Sequence, residues 1–164
     1  MSAGLLIRPF DQADRLRLQE ILEAAFAPVF ASFRNIVGEE IAAIAFAAAE
    51  KEQAELLDKL CAPESGRELY VAERHGEIAG FCAVSFDRET MIGEIDLNAV
   101  HPDHQGEGLG ERIYAFALER MKETGMKIAT VGTGGDEAHA PARRAYEKAG
   151  FTAAIPSVYY YKLI

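Results

Sequence analysis

The chain has 164 residues, the length of one ordinary domain, and 49% of them are hydrophobic, so it has enough apolar surface for a packed core and is not of the disordered class. Its formal net charge of -9 argues against nucleic acid as the main partner, because phosphate binding needs clustered lysine and arginine, but is compatible with an amine substrate. The sequence indicates no signal peptide, membrane span, disulfide framework or metal site, so we expect a single cytoplasmic domain over 1–164.

Helical spacing dominates the N-terminal part of the chain. A short apolar stretch before Pro9 predicts a first strand over 5–8, and leucines and phenylalanines then recur at helical intervals. We expect one helix that Pro28 interrupts, a second helical region that ends at Gly38, and a long alanine-rich helix over 39–60. The phenylalanines of this part either line an acceptor pocket or belong to the core, and they are Phe26, Phe30, Phe33 and Phe46.

The rest of the chain has the period of a sheet. Strands are expected over 68–73, 77–86, 91–100, 127–131, 151–155 and 158–162, with helices over 108–124 and 141–149. The strand over 77–86 is apolar on both faces, which is typical of a central strand. The predicted fold class is therefore α+β, with a central mixed, mostly antiparallel sheet of about six to seven strands flanked by helices.

A glycine-rich loop lies between the strand over 91–100 and the helix that follows it. Gly106, Gly108 and Gly110 alternate there, so the backbone can turn tightly and approach a ligand closely. The helix points its first N–H groups and the positive end of its dipole at this loop, which favours a phosphate or pyrophosphate. The spacing fits neither a P-loop nor a Rossmann fingerprint, and the alternative interpretation is a plain turn with a helix cap.

Two segments carry motifs that can be matched to a known family. The run Gln105-Gly-Glu-Gly-Leu-Gly110 resembles the Q/R-x-x-G-x-G/A signature of the GNAT superfamily of N-acetyltransferases, which use acetyl-CoA, and Asn98 to His104 looks like the strand and loop that precede it there. The run from Ala142 to Phe151 resembles the second conserved block, a helix that ends in Gly-Phe. The resemblance covers residues 68–164, and it implies a GNAT-like fold and an acetyl-CoA-dependent N-acetyltransferase.

The resemblance also implies roles for the matching positions. The backbone of Asn98, Ala99 and Val100 would pair with the pantetheine arm of acetyl-CoA like an added strand. Backbone amides would cradle the pyrophosphate, and they belong to Gln105, Gly106, Glu107, Gly108, Leu109, Gly110 and Glu111. Tyr146 matches the tyrosine that protonates the leaving thiolate. The chain departs from the family at His139, which stands at a cofactor contact where Asn is frequent.

Amide formation needs a neutral amine, so a base must accept the proton of the amine, directly or through water. Polar residues alternate in the strand before the loop, and we expect one face to carry Glu94, Asp96 and Asn98 and the other Ile95, Leu97 and Ala99. Glu94 looks like the position of the base in histone-acetylating members of the family. We predict Glu94 as the base, with Asp96 as the alternative; otherwise the face is solvated, or its acids bind the substrate cation without catalysis.

The sequence leaves three functions open. The first is an enzyme that acetylates a small-molecule amine, the second an enzyme that acetylates a protein N-terminus or lysine, and the third a domain that binds acyl-CoA without turnover. The expected partner is accordingly a small-molecule or peptide amine, with no nucleic acid and no membrane. A homodimer also stays open, because the apolar run Val158-Tyr-Tyr-Tyr161 is either an interface or a covered sheet edge.

Overall fold

The computed structural model describes residues 4–164, which contain five strands and five α-helices. In chain order these elements are β1 (Leu5–Pro9), α1 (Arg15–Val37), α2 (Glu39–Ala45), α3 (Ala49–Cys61), β2 (Glu68–Arg74), β3 (Glu77–Asp87), β4 (Ile92–Val100), α4 (Leu109–Glu123), β5 (Ile128–Val131) and α5 (Ala140–Lys148). Within these residues, no helix is long and apolar enough to cross a membrane.

The strands form one mixed sheet in the order β1-β2-β3-β4-β5. β1 to β4 pair antiparallel with their neighbours, whereas β5 runs parallel to β4. A parallel pair needs a crossover connection, which α4 supplies between the two strands. The predicted α+β class with a mixed, mostly antiparallel sheet is confirmed.

Helices cover both faces of the sheet, and each face has its own core. On one face, α1 and α3 pack against β3 through a cluster that includes Leu18, Ile21, Leu57, Phe81 and Ala83. On the other face, α4 packs against β3 through a cluster that includes Ile113, Met121, Cys82 and Val84, with Tyr146 of α5. β3 is therefore buried on both sides, as expected for a central strand.

Two predictions about helix breaks are wrong. α1 continues through Pro28, because Leu22 before it and Val29 after it are both buried in the core, and this packing outweighs one missing backbone hydrogen bond. The helix expected over 39–60 is instead two helices, since the chain turns between them and packs Phe46 against Phe33, with 5.6 Å between ring centroids. An alanine-rich run favours helix but does not specify where the helix must stop.

The two strands predicted over 151–155 and 158–162 are also wrong. Among the described residues the sheet has five strands rather than six or seven, and residues 152–164 have no regular secondary structure. The segment is exposed, with Ile155 97% and Tyr160 93% accessible. Valine and tyrosine favour strands, but a strand forms only where a neighbour supplies its hydrogen-bond partners, and propensity alone does not provide one.

Candidate active site

A cleft opens where β4 and β5 part. The two strands pair only from Ile92 to Ile95 of β4 and from Ile128 to Val131 of β5, whereas β4 continues to Val100 along β3. In the described chain, the end of β4 therefore has no strand on its β5 side. A cleft of about 830 Å³ lies along this free edge, between α1 on one side and the glycine loop and α5 on the other.

A β-bulge interrupts β4 within the cleft. Cys82 of β3 lies opposite Asn98, and Val84 lies opposite Ile95. The two β3 residues are two positions apart and the two β4 residues three, so β4 carries one extra residue between these pairs. Beyond the bulge, the side chains of β4 have exchanged faces relative to a regular strand.

Because the side chains exchange faces, the prediction that Glu94, Asp96 and Asn98 share one face of β4 is wrong. Ile95 packs in the core beneath α4, whereas Leu97 and Ala99 pack in the core beneath α1. The side chain of Asn98 lies on the same face as Ile95, where it meets residues of α4 and α5. Glu94 precedes Ile95 in regular strand and lies on the opposite face, so Glu94 and Asn98 approach the cleft from different sides of the sheet.

The glycine loop presents the N-terminus of α4 to the cleft. Gly106 and Gly108 have φ values of +78° and +75°, which glycine adopts at little cost, and open space surrounds the position that a Cβ would take at either. Among the residues that the structure describes, no side chain caps α4 at Gly108, so the first helical N–H groups are left for a ligand. These groups and the helix dipole favour an anion. The Gln105 amide donates to the Val100 carbonyl at 2.9 Å and holds the loop against the end of β4.

Two tyrosines and an asparagine meet beside the free edge of β4. Tyr114 Oη donates to Asn98 Oδ1 at 2.9 Å, and Asn98 Nδ2 donates to Tyr146 Oη at 3.3 Å. The centroids of the two tyrosine rings are 4.7 Å apart, and both rings are buried. Burial raises the pKa of Tyr146, although its hydrogen bonds with Asn98 and Tyr114 oppose the shift, and burial also raises the pKa of Tyr114. Both hydroxyls are therefore protonated at neutral pH, and Tyr146, which lines the cleft, can donate its proton.

The two candidate bases differ in their partners. Asp96 Oδ2 accepts a hydrogen bond from Arg67 Nε at 2.9 Å, and the Asp96 side chain is 16% exposed. Glu94 is exposed in the wall of the cleft, and among residues 4–164 its carboxylate has no hydrogen-bond or ion-pair partner. A carboxylate that already binds a guanidinium is less available to contact a substrate amine than one without a partner. This arrangement favours Glu94 over Asp96 as the base.

His139 lies in the cleft wall formed by the loop before α5, and Asp136 fixes its ring. Its Nδ1 contacts Asp136 Oδ1, and the other carboxylate oxygen accepts from Ser32 Oγ of α1 at 2.7 Å. Arg143 of α5 donates to the Asp136 carbonyl oxygen at 2.7 Å. Burial tends to raise the pKa of Asp136, but its hydrogen bonds with Ser32 and His139 lower it below the ordinary value. With Nδ1 engaged, Nε2 is the nitrogen that His139 offers to a ligand.

The structure brings all but one of the predicted site residues to the cleft. Its lining includes Glu94, Asp96, Asn98, Ala99, Val100, Gln105, Gly106, Gly108, Leu109, Gly110, Glu111, His139 and Tyr146. The side chain of Glu107 instead forms an ion pair with Arg74 of β2. The backbone and side chains of the others border one continuous space that a single elongated ligand can occupy.

Sequence reasoning missed four residues that organise this site, namely Ser32, Arg67, Tyr114 and Asp136. Tyr114 had a signal, because it follows Gly110 by four residues and helical spacing puts it on the side of α4 that faces the loop. Arg67 and Ser32 had none, since they bind carboxylates 29 and 104 residues away along the chain. Such contacts depend on how distant elements pack.

Sequence comparisons place the chain beside known acetyltransferases. Residues 31–151 match the family model for the acetyltransferase (GNAT) family. The mycothiol acetyltransferase of Sanguibacter keddieii is 36% identical over 93 residues, which make up 54% of this chain and 29% of that protein. The match therefore spans less than a third of the length of this curated relative.

Solved structures share the fold. A GNAT-family acetyltransferase from Desulfovibrio desulfuricans has a TM-score of 0.70 at 24% identity, covering 93% of this chain and 87% of that chain. A GNAT family acetyltransferase from Brucella melitensis, solved in complex with acetyl-CoA, has a TM-score of 0.62 at 24% identity, covering 91% and 83%. Likeness at these identities concerns the fold, and it confirms the GNAT-like fold that the motifs implied.

Proposed function

This chain belongs to the acetyltransferase (GNAT) family, and we propose that it transfers an acetyl group from acetyl-CoA directly to the primary amine of a small molecule. Glu94 is the base in this proposal, and Tyr146 is the acid. The observation that carries it is the convergence, on one cleft, of a free strand edge, an uncapped helix N-terminus, an unpaired carboxylate and a buried tyrosine hydroxyl.

The donor is proposed to lie along β4. The segment Asn98, Ala99 and Val100 borders the side of β4 that has no strand, so those of its backbone groups that point away from β3 are proposed to pair with the amides of the pantetheine arm. The pyrophosphate then reaches the N–H groups at the start of α4, and Gly106 and Gly108 leave room for it. The acetyl-CoA complex of the Brucella melitensis protein of like fold supports this choice of donor.

The acceptor amine is proposed to enter from the face that carries α1. Glu94 lies on that face, and its carboxylate accepts a proton from the ammonium group, directly or through water. The neutral nitrogen then attacks the thioester carbonyl carbon and loses its second proton to solvent, and the C–S bond breaks. Tyr146 gives its proton to the departing sulfur, and solvent later restores it. The raised pKa of Tyr146 suits this role, because the hydroxyl is protonated before the step.

The lining of the acceptor side supports a small molecule rather than a protein segment. The residues that α1 and α3 contribute are mostly apolar and include Ala25, Phe26, Pro28, Val29 and Leu56. Two acids of β4 reach the cleft. Arg67 already binds Asp96, so Glu94 is the one of the two that is available to bind the ammonium group of a substrate. A basic protein segment would be better matched by an acidic lining, whereas the side chains from α1 and α3 are apolar. An acceptor with one amine and an apolar body fits this lining best.

Replacement of the proposed base tests this function. We expect Glu94→Gln to lower kcat about 10²-fold at pH 6, because the amine must then arrive already neutral. The loss should shrink as the pH approaches the pKa of the amine, about 8 for an α-amine, while the Kd for acetyl-CoA stays the same. The measurement is thiol release from acetyl-CoA with L-alaninamide, L-phenylalaninamide, tyramine, spermidine and a lysine-containing peptide over pH 6–9.

Glu89→Gln is the matched control, since Glu89 is exposed, lies outside the cleft lining and carries the same charge. A Glu94→Gln enzyme that loses the same factor at every pH would contradict the role as base. A wild-type protein that binds acetyl-CoA but releases no thiol with any of these amines would favour a non-catalytic acyl-CoA-binding domain. Release only with a peptide amine would favour a protein acetyltransferase.

A further inference from the structure

The side chain of Asn98 is fully hydrogen-bonded between two tyrosines. Its Oδ1 accepts from Tyr114 Oη at 2.9 Å, and its Nδ2 donates both to Tyr146 Oη at 3.3 Å and to the Asp96 carbonyl oxygen at 3.1 Å. If the amide were flipped, Oδ1 would face the Asp96 carbonyl oxygen, another acceptor, and Nδ2 would face the Tyr114 hydroxyl, which acts as a donor in the observed orientation. The orientation of the amide is therefore set by its neighbours.

This orientation decides where the Tyr146 proton points. The Tyr146 oxygen accepts a hydrogen bond from Asn98 Nδ2, and its hydrogen bond with Tyr114 has Tyr114 as the donor. The Tyr146 O–H is therefore used toward neither neighbour and is free to point into the cleft. In a flipped amide, Oδ1 would lie where Nδ2 now lies, beside Tyr146 Oη, and would accept the Tyr146 proton. Tyr114 and the Asp96 carbonyl together hold the amide in the orientation that leaves the Tyr146 proton free.

The geometry points to a role for Tyr114: we propose that it acts through Asn98 as a positioning residue that aims the Tyr146 proton at the sulfur of the donor. This inference rests on the proposed function, in which Tyr146 is the acid. Tyr114 lies on α4 and Tyr146 on α5, and their packed rings join the helix that presents the glycine loop to the helix that carries the acid.

The surroundings of the three residues fit this role. Tyr114 is 6% exposed and Tyr146 7%, so bulk water does not compete well for either hydroxyl. The other titratable group that influences both tyrosines is the thiol of Cys82, which is itself buried and has a pKa raised to about 12 by its burial. The thiol is therefore neutral at physiological pH. The bulge of β4 is what turns Asn98 toward the tyrosines rather than toward α1.

The test uses coenzyme A itself, so it needs no acceptor. A hydroxyl that donates to the bound thiolate stabilises it, and the bound thiol should ionise at lower pH than the thiol of free coenzyme A. Thiolate absorbance is followed against pH for the complex with each variant. We expect Tyr146→Phe to raise the pKa of the bound thiol by about one unit, a tenfold change in acid dissociation. We expect Tyr114→Phe to raise the pKa of the bound thiol by most of the same amount.

The double variant separates positioning from an independent effect. If Tyr114 acts through Tyr146, then Tyr114→Phe has no further effect in a Tyr146→Phe protein. Affinity for desulfo-coenzyme A, which lacks the sulfur, should stay the same in all of these variants, whereas a general structural defect would weaken it. Asn98→Ser repeats the test with the ring of Tyr114 intact. Tyr70→Phe is the control, since Tyr70 Oη donates to Glu68 at 2.6 Å outside the cleft lining.

The outcomes are distinguishable. An unchanged thiol pKa in both Tyr114→Phe and Asn98→Ser, beside a raised one in Tyr146→Phe, overturns the positioning role and leaves the proposed function standing. Additive shifts in the double variant also overturn it, because Tyr114 then acts independently of Tyr146. No effect of Tyr146→Phe removes the acid and the positioning role together, and no binding of coenzyme A to the folded wild type overturns the proposed function as well.

Discussion

A negative charge at the start of α4 should weaken the binding of acetyl-CoA by a predictable factor. In Gly108→Glu the new side chain extends into the open space beside the first N–H groups of α4. At about 5 Å, one carboxylate repels each of two phosphate charges by about 0.8 kcal/mol even at the dielectric constant of water, or about 1.7 kcal/mol together. We therefore expect the Kd to rise at least about twentyfold.

Gly108→Ala is the matched variant, because it shares the backbone cost and lacks the charge. Gly108 has φ +75°, so any other residue there costs about 1–2 kcal/mol of folding stability, and both variants should lose similar amounts of stability. Calorimetric titration with acetyl-CoA at low salt and at 0.5 M salt measures the difference between them. The excess penalty of the glutamate should shrink at high salt, since exposed charges are screened over a few ångströms. Equal Kd values for the two folded variants would refute an anion site at this helix.

Two further predictions concern the surroundings of the site. Asp14 accepts from two guanidinium nitrogens of Arg8 at 2.8 and 3.0 Å, and these bonds hold its pKa below the ordinary value, so its stabilisation is complete above about pH 4 and is lost as pH falls through the lowered pKa. In urea unfolding, Asp14→Asn should lower the free energy of unfolding by about 2 kcal/mol at pH 7, and this difference from the wild type should disappear at acid pH. A difference in free energy of unfolding that stays constant across pH would contradict this. A Cβ at Gly134 would lie 2.6 Å from Asp136 Oδ1 and overlap the His139 ring, so Gly134→Ala should lower Tm by several degrees. Gly135→Ala, with open space around its Cβ position, should not, and equal Tm values for the two would show that the loop before α5 is not held as described.

The sequence predicted the parts of the site that depend on local spacing. The alternating glycines predicted a loop before α4 that is open to an anion, and the apolar faces of the strand over 77–86 predicted that this strand is central in the sheet. The structure has an open glycine loop at this place and buries β3 on both faces. It did not predict the partners of Asp96 or Asp136, because Arg67 and Ser32 reach them only when α1 and β2 are packed on the sheet. The count of strands failed for a related reason, since residues 152–164 have strand-forming composition without a strand to pair with.

The bulge in β4 is the feature on which the arrangement of the site depends, and a pattern of polar and apolar residues cannot reveal it. A regular strand would put Glu94 and Asn98 on one face, so that the proposed base and the partner of the proposed acid would lie on the same side of the sheet. One extra residue sends Asn98 to the tyrosines of α4 and α5 and leaves Glu94 on the side of α1. In the proposed function, the donor lies along the edge of β4 and the acceptor approaches it from the face that carries Glu94. Their reacting atoms would then meet where β5 has ended, because that is where the edge of β4 is free.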